Sequence, residues 1–118
     1  MGWTNVSEER IMDFDDYQLL AHRTAVYPAE KGLEYLALGL VGEAGEVANK
    51  VKKILRGDYL FTDEFAGELS KELGDVLWYL AEMCTHLDIR LMQIAGENTL
   101  KLKERKKSGK IKGSGDNR

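Results

Sequence analysis

The stretch LEYLALGLVGEAGEVANKVKKILRG, residues 33–57, decides the fold. Leu33, Leu36, Ala37, Leu40, Ala44, Val47, Val51, Ile54 and Leu55 recur at steps of three and four, which lays one apolar stripe along a helix. Gly57 follows Arg56 and supplies the stop. So long and one-sided a helix must bury its stripe against other elements, and the flanking sequence supplies them. Downstream, Thr62 or Asp63 caps a third helix whose core stripe is Phe65, Leu69, Leu73, Val76, Leu77, Leu80, Met83, Cys84 and Leu87. Upstream, Asp13 caps a first helix with Phe14, Tyr17, Leu20 and Ala21 at helical spacing, and Pro28 ends it at or just before Tyr27. Asp88 caps a fourth, carrying Ile89, Leu91, Met92, Ile94, Ala95, Leu100 and Leu102, and the helical signal fades near Lys107. No alternating strand pattern exceeds a few residues. The fold class expected is all-α, with a four-helix, bundle-like protomer.

A chain of 118 residues is one domain. We place it at residues 1–107, with 108–118 as a flexible, basic, glycine-rich tail. Hydrophobic residues at 43% and charged residues at 31% exclude wholesale disorder. No apolar run approaches the ~18 residues needed to cross a bilayer. The opening MGWTNVSEER has neither the basic nor the apolar region of a secretory signal. The single cysteine, Cys84, excludes a disulfide framework and a cysteine-based zinc cluster, and it reads as packing. A cytoplasmic location is expected.

The formal net charge of −3 conceals a split. Residues 101–118 carry eight Lys or Arg against Glu104 and Asp116, while the other 100 residues carry nine basic against eighteen acidic side chains. An acidic body with a basic end is unlike a nucleic-acid binder, which carries its basic face on the folded domain. It suits a protein that gathers divalent cations in its body and grips phosphates with its end; it equally suits a solvated acidic surface with a loose basic tail.

The informative residues lie just off the apolar stripes. Glu43, Glu46, Lys50 and Lys53 form a polar file on the second helix, and Glu68, Glu72, Asp75, Tyr79 and Glu82 form another on the third. Helix residues three apart have Cβ atoms roughly 5–6 Å apart, so Glu43/Glu46 and Glu72/Asp75 each make a pincer. If the stripes pack together, the pincers face each other, and the repulsion requires protonation or a cation. All-oxygen ligands suit Mg²⁺, with Mn²⁺ as a substitute. A solvated acidic face is the plain alternative. Gly42, Gly45 and Gly74 beside the carboxylates point to close helix approach there. A diiron centre would need two E-x-x-H motifs, and neither His22 nor His86 has a glutamate three residues before it; a structural role is expected for each. Phosphate-loop and dinucleotide fingerprints are absent.

The segments GEAGEV (42–47) and KELGDVLWYL (71–80) resemble the MazG-type nucleoside triphosphate pyrophosphohydrolases, an all-α superfamily that includes dimeric dUTPases and dCTP pyrophosphatases. The family's E-x-x-E and E-x-x-D are met by Glu43, Glu46, Glu72 and Asp75. Its N-x-x-K-x-x-x-R segment is met by Asn98, Lys101 and Arg105. The resemblance implies a homodimer or dimer of dimers that hydrolyses (deoxy)nucleoside triphosphates to monophosphate and pyrophosphate, with the four carboxylates holding Mg²⁺. A deoxynucleoside triphosphate is the expected substrate and nucleotide-pool house-cleaning the expected role. It further implies phosphate contacts from Lys50, Lys53, Lys101 and Arg105, a sugar or phosphate contact from Asn98, and a sugar or base contact from Tyr79. Gln18 on the first helix is the base-pocket candidate, and Tyr27 could stack there. Lys50 and Lys53 equally suit pairing with nearby acids, and Trp78 suits the core or a subunit interface. The competing reading is a non-catalytic helical module that docks a partner or nucleic acid through its basic tail.

Overall fold

The computed structural model describes residues 13–117. Among them are four α-helices, α1 (Phe14–His22), α2 (Gly32–Arg56), α3 (Asp63–His86) and α4 (Leu91–Lys107), one short 3-10 turn (Ala29–Lys31) before α2, and no strand. Three boundaries follow from local chemistry that is legible in the sequence. The Asp13 carboxylate accepts the Asp16 N–H at 2.9 Å, and the Thr62 hydroxyl accepts the Phe65 N–H at 3.2 Å, each satisfying an otherwise orphaned donor of the first turn. Gly57, at φ 89°, turns the chain out of α2 while Asp58 N–H reaches back to Lys53 O at 3.0 Å.

Two boundaries differ from expectation. α1 ends at His22, not near Tyr27, because Thr24 closes it early: its N–H and its hydroxyl both donate to Ala21 O, at 3.1 and 2.8 Å. Asp88 does not cap α4. It sits at φ 57° and terminates α3, with Ile89 N–H bonded to Cys84 O at 2.8 Å and Asp88 N–H to Thr85 O at 3.1 Å. An aspartate tolerates this left-handed conformation better than most residues. α4 starts after Arg90 with no cap from its own flank; Gln18 of α1 reaches across and accepts the Leu91 N–H at 2.8 Å.

α2 and α3 run antiparallel along one another, Gly32 opposite His86, Gly39 opposite Tyr79 and Lys50 opposite Glu68. α1 packs on α3, and α4 touches α1 and α3 but not α2. The core is small: Ala21, Ala81, Cys84 and Leu91 are buried together, flanked by Tyr17, Leu77, Trp78, Leu80 and Ile94. Leu36 of α2 is also fully buried. Much of each expected stripe is left outside. Leu33, Val51, Leu55, Leu73, Leu87, Leu100 and Leu102 are exposed, and so are Leu38 and Val41. The Cα radius of gyration is 17.1 Å, against about 13 Å for a closed globule of this length.

The glycines correct a further expectation. A Cβ at Gly42, Gly45 or Gly74 would meet nothing within 4 Å, so these three do not mediate close helix approach. Gly32 and Gly39 do. A Cβ at Gly39 would lie 2.1 Å from the Tyr79 ring, and one at Gly32 would lie 2.5 Å from the His86 imidazole. Each lets α2 sit against a ring of α3.

Candidate functional site

Antiparallel packing of α2 on α3 brings Glu43 against Glu72 and Asp75. One carboxylate oxygen from each lies within 4.8 Å of the others. Desolvation, then the charges of Asp75, Glu72 and Glu46, push the Glu43 carboxyl above its ordinary value. That is the response of an acid held among like charges. Glu46 lies one turn along α2 and is exposed; its charge reaches the cluster, but it does not join the converging three. Lys50 stands 3.8 Å from Glu68 and 3.9 Å from Glu72, distances at which it offsets charge without tight hydrogen bonds. Lys53 is half-buried one turn further on.

The donor set suits a divalent cation. Three carboxylates within mutual reach present hard oxygens and excess negative charge, and neither histidine nor thiol intrudes. Beside them opens a cavity of about 320 Å³ lined by Thr24, Glu43, Asp75, Trp78 and Tyr79. The Trp78 indole N–H donates to the Thr24 hydroxyl at 2.8 Å, and the Trp78 and Tyr79 rings meet edge to face at 5.0 Å. Burial, then a hydrogen bond with Tyr35, raises the Tyr79 phenol above its usual value. Tyr27 stacks on Tyr35 at 5.4 Å, and Tyr35 lies 6.3 Å from Tyr79, so three tyrosines back this wall.

The remaining sequence candidates lie elsewhere. Gln18 is buried and its amide is committed to the fold, donating to the Thr85 hydroxyl and Ile89 O at 3.1 and 2.9 Å besides capping α4. It lines a different cavity, between α1 and the α3–α4 turn. Asn98 and Lys101 line a third cavity with Ile94 and Glu97, which shares no residue with the one at the carboxylates. Lys101 Nζ lies 3.0 Å from Asp116 Oδ1, and the buried Arg105 donates to Asp116 O at 2.9 Å and Oδ1 at 3.1 Å. Gly109, at φ 73°, reverses the chain so that residues 115 and 116 return to α4. Thus Lys101 and Arg105 of α4 hold the tail, through Asp116, and stand apart from the Glu43, Glu72 and Asp75 cluster. Thr24 went unnoticed in the sequence, since its place on the wall depends on the early end of α1. Trp78 was visible, but a periodicity argument assigns it to packing.

Hydrogen bonds to Lys101 and Arg105 hold the Asp116 carboxyl below the usual aspartate range. A group with a lowered folded-state pKa stabilises its contact fully above the unfolded value, and that contribution is lost as pH falls through the lowered one. The tail contact should therefore persist at neutral pH and release on acidification below the ordinary aspartate range. Amide exchange at residues 109–117, followed against pH in the wild type and in Asp116→Asn, checks this. The variant should show fast exchange at neutral pH.

An all-α protein that brings Glu43 of one helix against Glu72 and Asp75 of its antiparallel neighbour carries a candidate metal site. The comparisons agree. The MazG nucleotide pyrophosphohydrolase domain matches residues 31–109, and the chain belongs to that family of generally metal-dependent hydrolases. The chain is 50% identical over 114 residues to the "Gene 37 protein" of Mycobacterium phage L5, covering 91% of this chain and all of that protein. No solved structure matches. No helix among the described residues is long and apolar enough to cross a membrane.

Proposed function

We propose that the protein hydrolyses nucleoside triphosphates, with deoxynucleotides preferred, to the monophosphate and pyrophosphate at Glu43, Glu72 and Asp75, with Glu46 completing the set, in a nucleotide-pool house-cleaning role. The observation that carries this is the convergence of the three carboxylates beside a cavity with an aromatic wall. When bound, Mg²⁺ or Mn²⁺ would supply charge neutralisation at the phosphates and an acidified water. The chain's own contribution is to place the nucleotide. Tyr79 and Trp78 offer ring faces and edges to base and sugar, and the Thr24 hydroxyl and the indole N–H mark a polar corner. Lys50, beside Glu72, is placed to neutralise phosphate charge, with Lys53 one turn beyond. Water adds across the α–β anhydride; its oxygen joins the α-phosphorus and the bridging oxygen leaves with pyrophosphate.

The apolar surface on α2 and α3 supports a homodimer or homotetramer. Leu38 at 74% and Val41 at 71% exposure lie on α2, and Leu60 and Phe61 in the α2–α3 connection are uncovered as well. A second copy would cover this surface. Asn98, Lys101 and Arg105 would then act on phosphates from another protomer or after the tail lifts.

A panel of the canonical dNTPs and NTPs, assayed with Mg²⁺ and with EDTA, tests the reading. Metal-dependent release of monophosphate and pyrophosphate from at least one dNTP is expected. Turnover that survives EDTA would exclude the carboxylate cluster as its source. Inactivity across the panel, with partner or nucleic-acid binding lost on removing residues 108–118, would favour a non-catalytic helical module.

A further inference from the structure

Glu82 has 0% exposure, on the face of α3 that also carries Asp75 and Tyr79. Its neighbours Ala81 and Cys84 belong to the core. A buried carboxylate is expensive unless fully compensated. Here His22 Nδ1 lies 3.1 and 3.2 Å from its two oxygens, and the Tyr27 hydroxyl donates to Oε2 at 3.4 Å.

These partners bracket the irregular connection between α1 and the 3-10 turn, and Thr24 lies between them. That connection supplies one wall of the cavity at the carboxylates. Tyr27 is also the outer ring of the Tyr27–Tyr35–Tyr79 series, so the same carboxylate steadies the opposite wall. We infer that Glu82 is a positioning residue for the nucleotide pocket, fixing Thr24 through His22 and Tyr79 through Tyr27. It touches neither the metal ligands nor the substrate. The inference rests on the pocket assignment of the proposed function and adds a residue outside the four-carboxylate signature.

Three variants and two readouts test it. Glu82→Leu removes the acceptor, Glu82→Gln keeps an oxygen that accepts from Tyr27, and Tyr27→Phe removes one donor while leaving the carboxylate. Glu82→Leu should raise KM for the best nucleotide about tenfold or more with kcat within about twofold, the pattern of lost positioning of bound substrate. Glu82→Gln should restore most of the loss, and Tyr27→Phe should raise KM a few-fold. The second readout needs no turnover. In a Trp3→Phe background Trp78 is the remaining indole. Its emission should shift to the red in Glu82→Leu as the bond to Thr24 loosens, and stay near the parent in Glu82→Gln. Unchanged KM in Glu82→Leu with kcat lowered in step with folded fraction would overturn the inference, as would unmoved Trp78 emission. If Glu82→Leu does not fold, Tyr27→Phe decides: an unchanged KM and an unmoved emission overturn it. If the wild type hydrolyses no nucleotide, the function reading fails and emission alone decides whether Glu82 positions the wall.

Discussion

Glu72→Gln should lower kcat/KM on the order of 10³-fold while leaving the metal-free protein at least as stable as the wild type. Loss of a metal ligand removes several kcal/mol of transition-state charge stabilisation, and about 1.4 kcal/mol corresponds to each tenfold in rate. The stability half follows from the like-charge cluster. Glu43 is raised by desolvation and by the charges of Asp75, Glu72 and Glu46. An amide at 72 relieves one repulsion, and its NH₂ offers a donor where the carboxylate offers only acceptors. With metal the order reverses. A wild-type protein in hundredfold excess over its metal Kd gains about 2.7 kcal/mol, roughly 10 °C in Tm for a domain of this size, and the variant should lose most of that gain. A thermal melt with and without Mg²⁺ reads both. A variant less stable than wild type without metal and equally responsive to it would mean that Glu72 is structural.

Gly39→Ala is the second large effect. In an exposed helix this change stabilises by about 1 kcal/mol. Here the new Cβ would stand 2.1 Å from Tyr79 Cε1 and 2.5 Å from Cδ1 and Cζ, so the ring or the helix must move by more than an ångström. Overpacking of this kind costs about 1–3 kcal/mol, which exceeds the helix gain in most of that range, and the ring displaced is a wall of the pocket. We expect a net loss of about 1 kcal/mol in urea unfolding and a KM increase of tenfold or more. Gly42→Ala, Gly45→Ala and Gly74→Ala are the contrast, since each faces open space in one chain. They should gain up to about 1 kcal/mol in the monomer, and a loss at any of them, seen only at concentrations where the protein is oligomeric, would place a second copy on that face.

What the sequence made legible is what depends on short range. The helix over residues 33–55, the caps Asp13 and Thr62 and the stop at Gly57 are local, and the structure reproduces them, although of that helix's stripe only Leu36 is buried. The pincer spacing is local too, and antiparallel pairing turned it into a three-carboxylate cluster. What spacing does not show depends on partners far along the chain. Thr24 closes α1 early and then meets Trp78, 54 residues on. Gln18 was a base-pocket candidate because of its helix, whereas its amide caps α4 at Leu91, 73 residues away. Gly39 was passed over for Gly42 and Gly45, since a glycine's purpose is set by the ring opposite it. Glu82 stood in the polar file of α3, but spacing could not show that the file goes underground after Tyr79. The exposed Leu38, Val41 and Leu73 show the other limit: periodicity marks a surface for burial without saying whether the same chain covers it.

The central claim is that the carboxylate cluster directs water to the α-phosphorus. Hydrolysis of the best dNTP in H₂¹⁸O, with the products separated and weighed by mass spectrometry, addresses it most directly. The account predicts one ¹⁸O in the nucleoside monophosphate, none in pyrophosphate, and no labelled product from Glu72→Gln. Label in pyrophosphate or in orthophosphate, or labelled monophosphate undiminished in the variant, would contradict it.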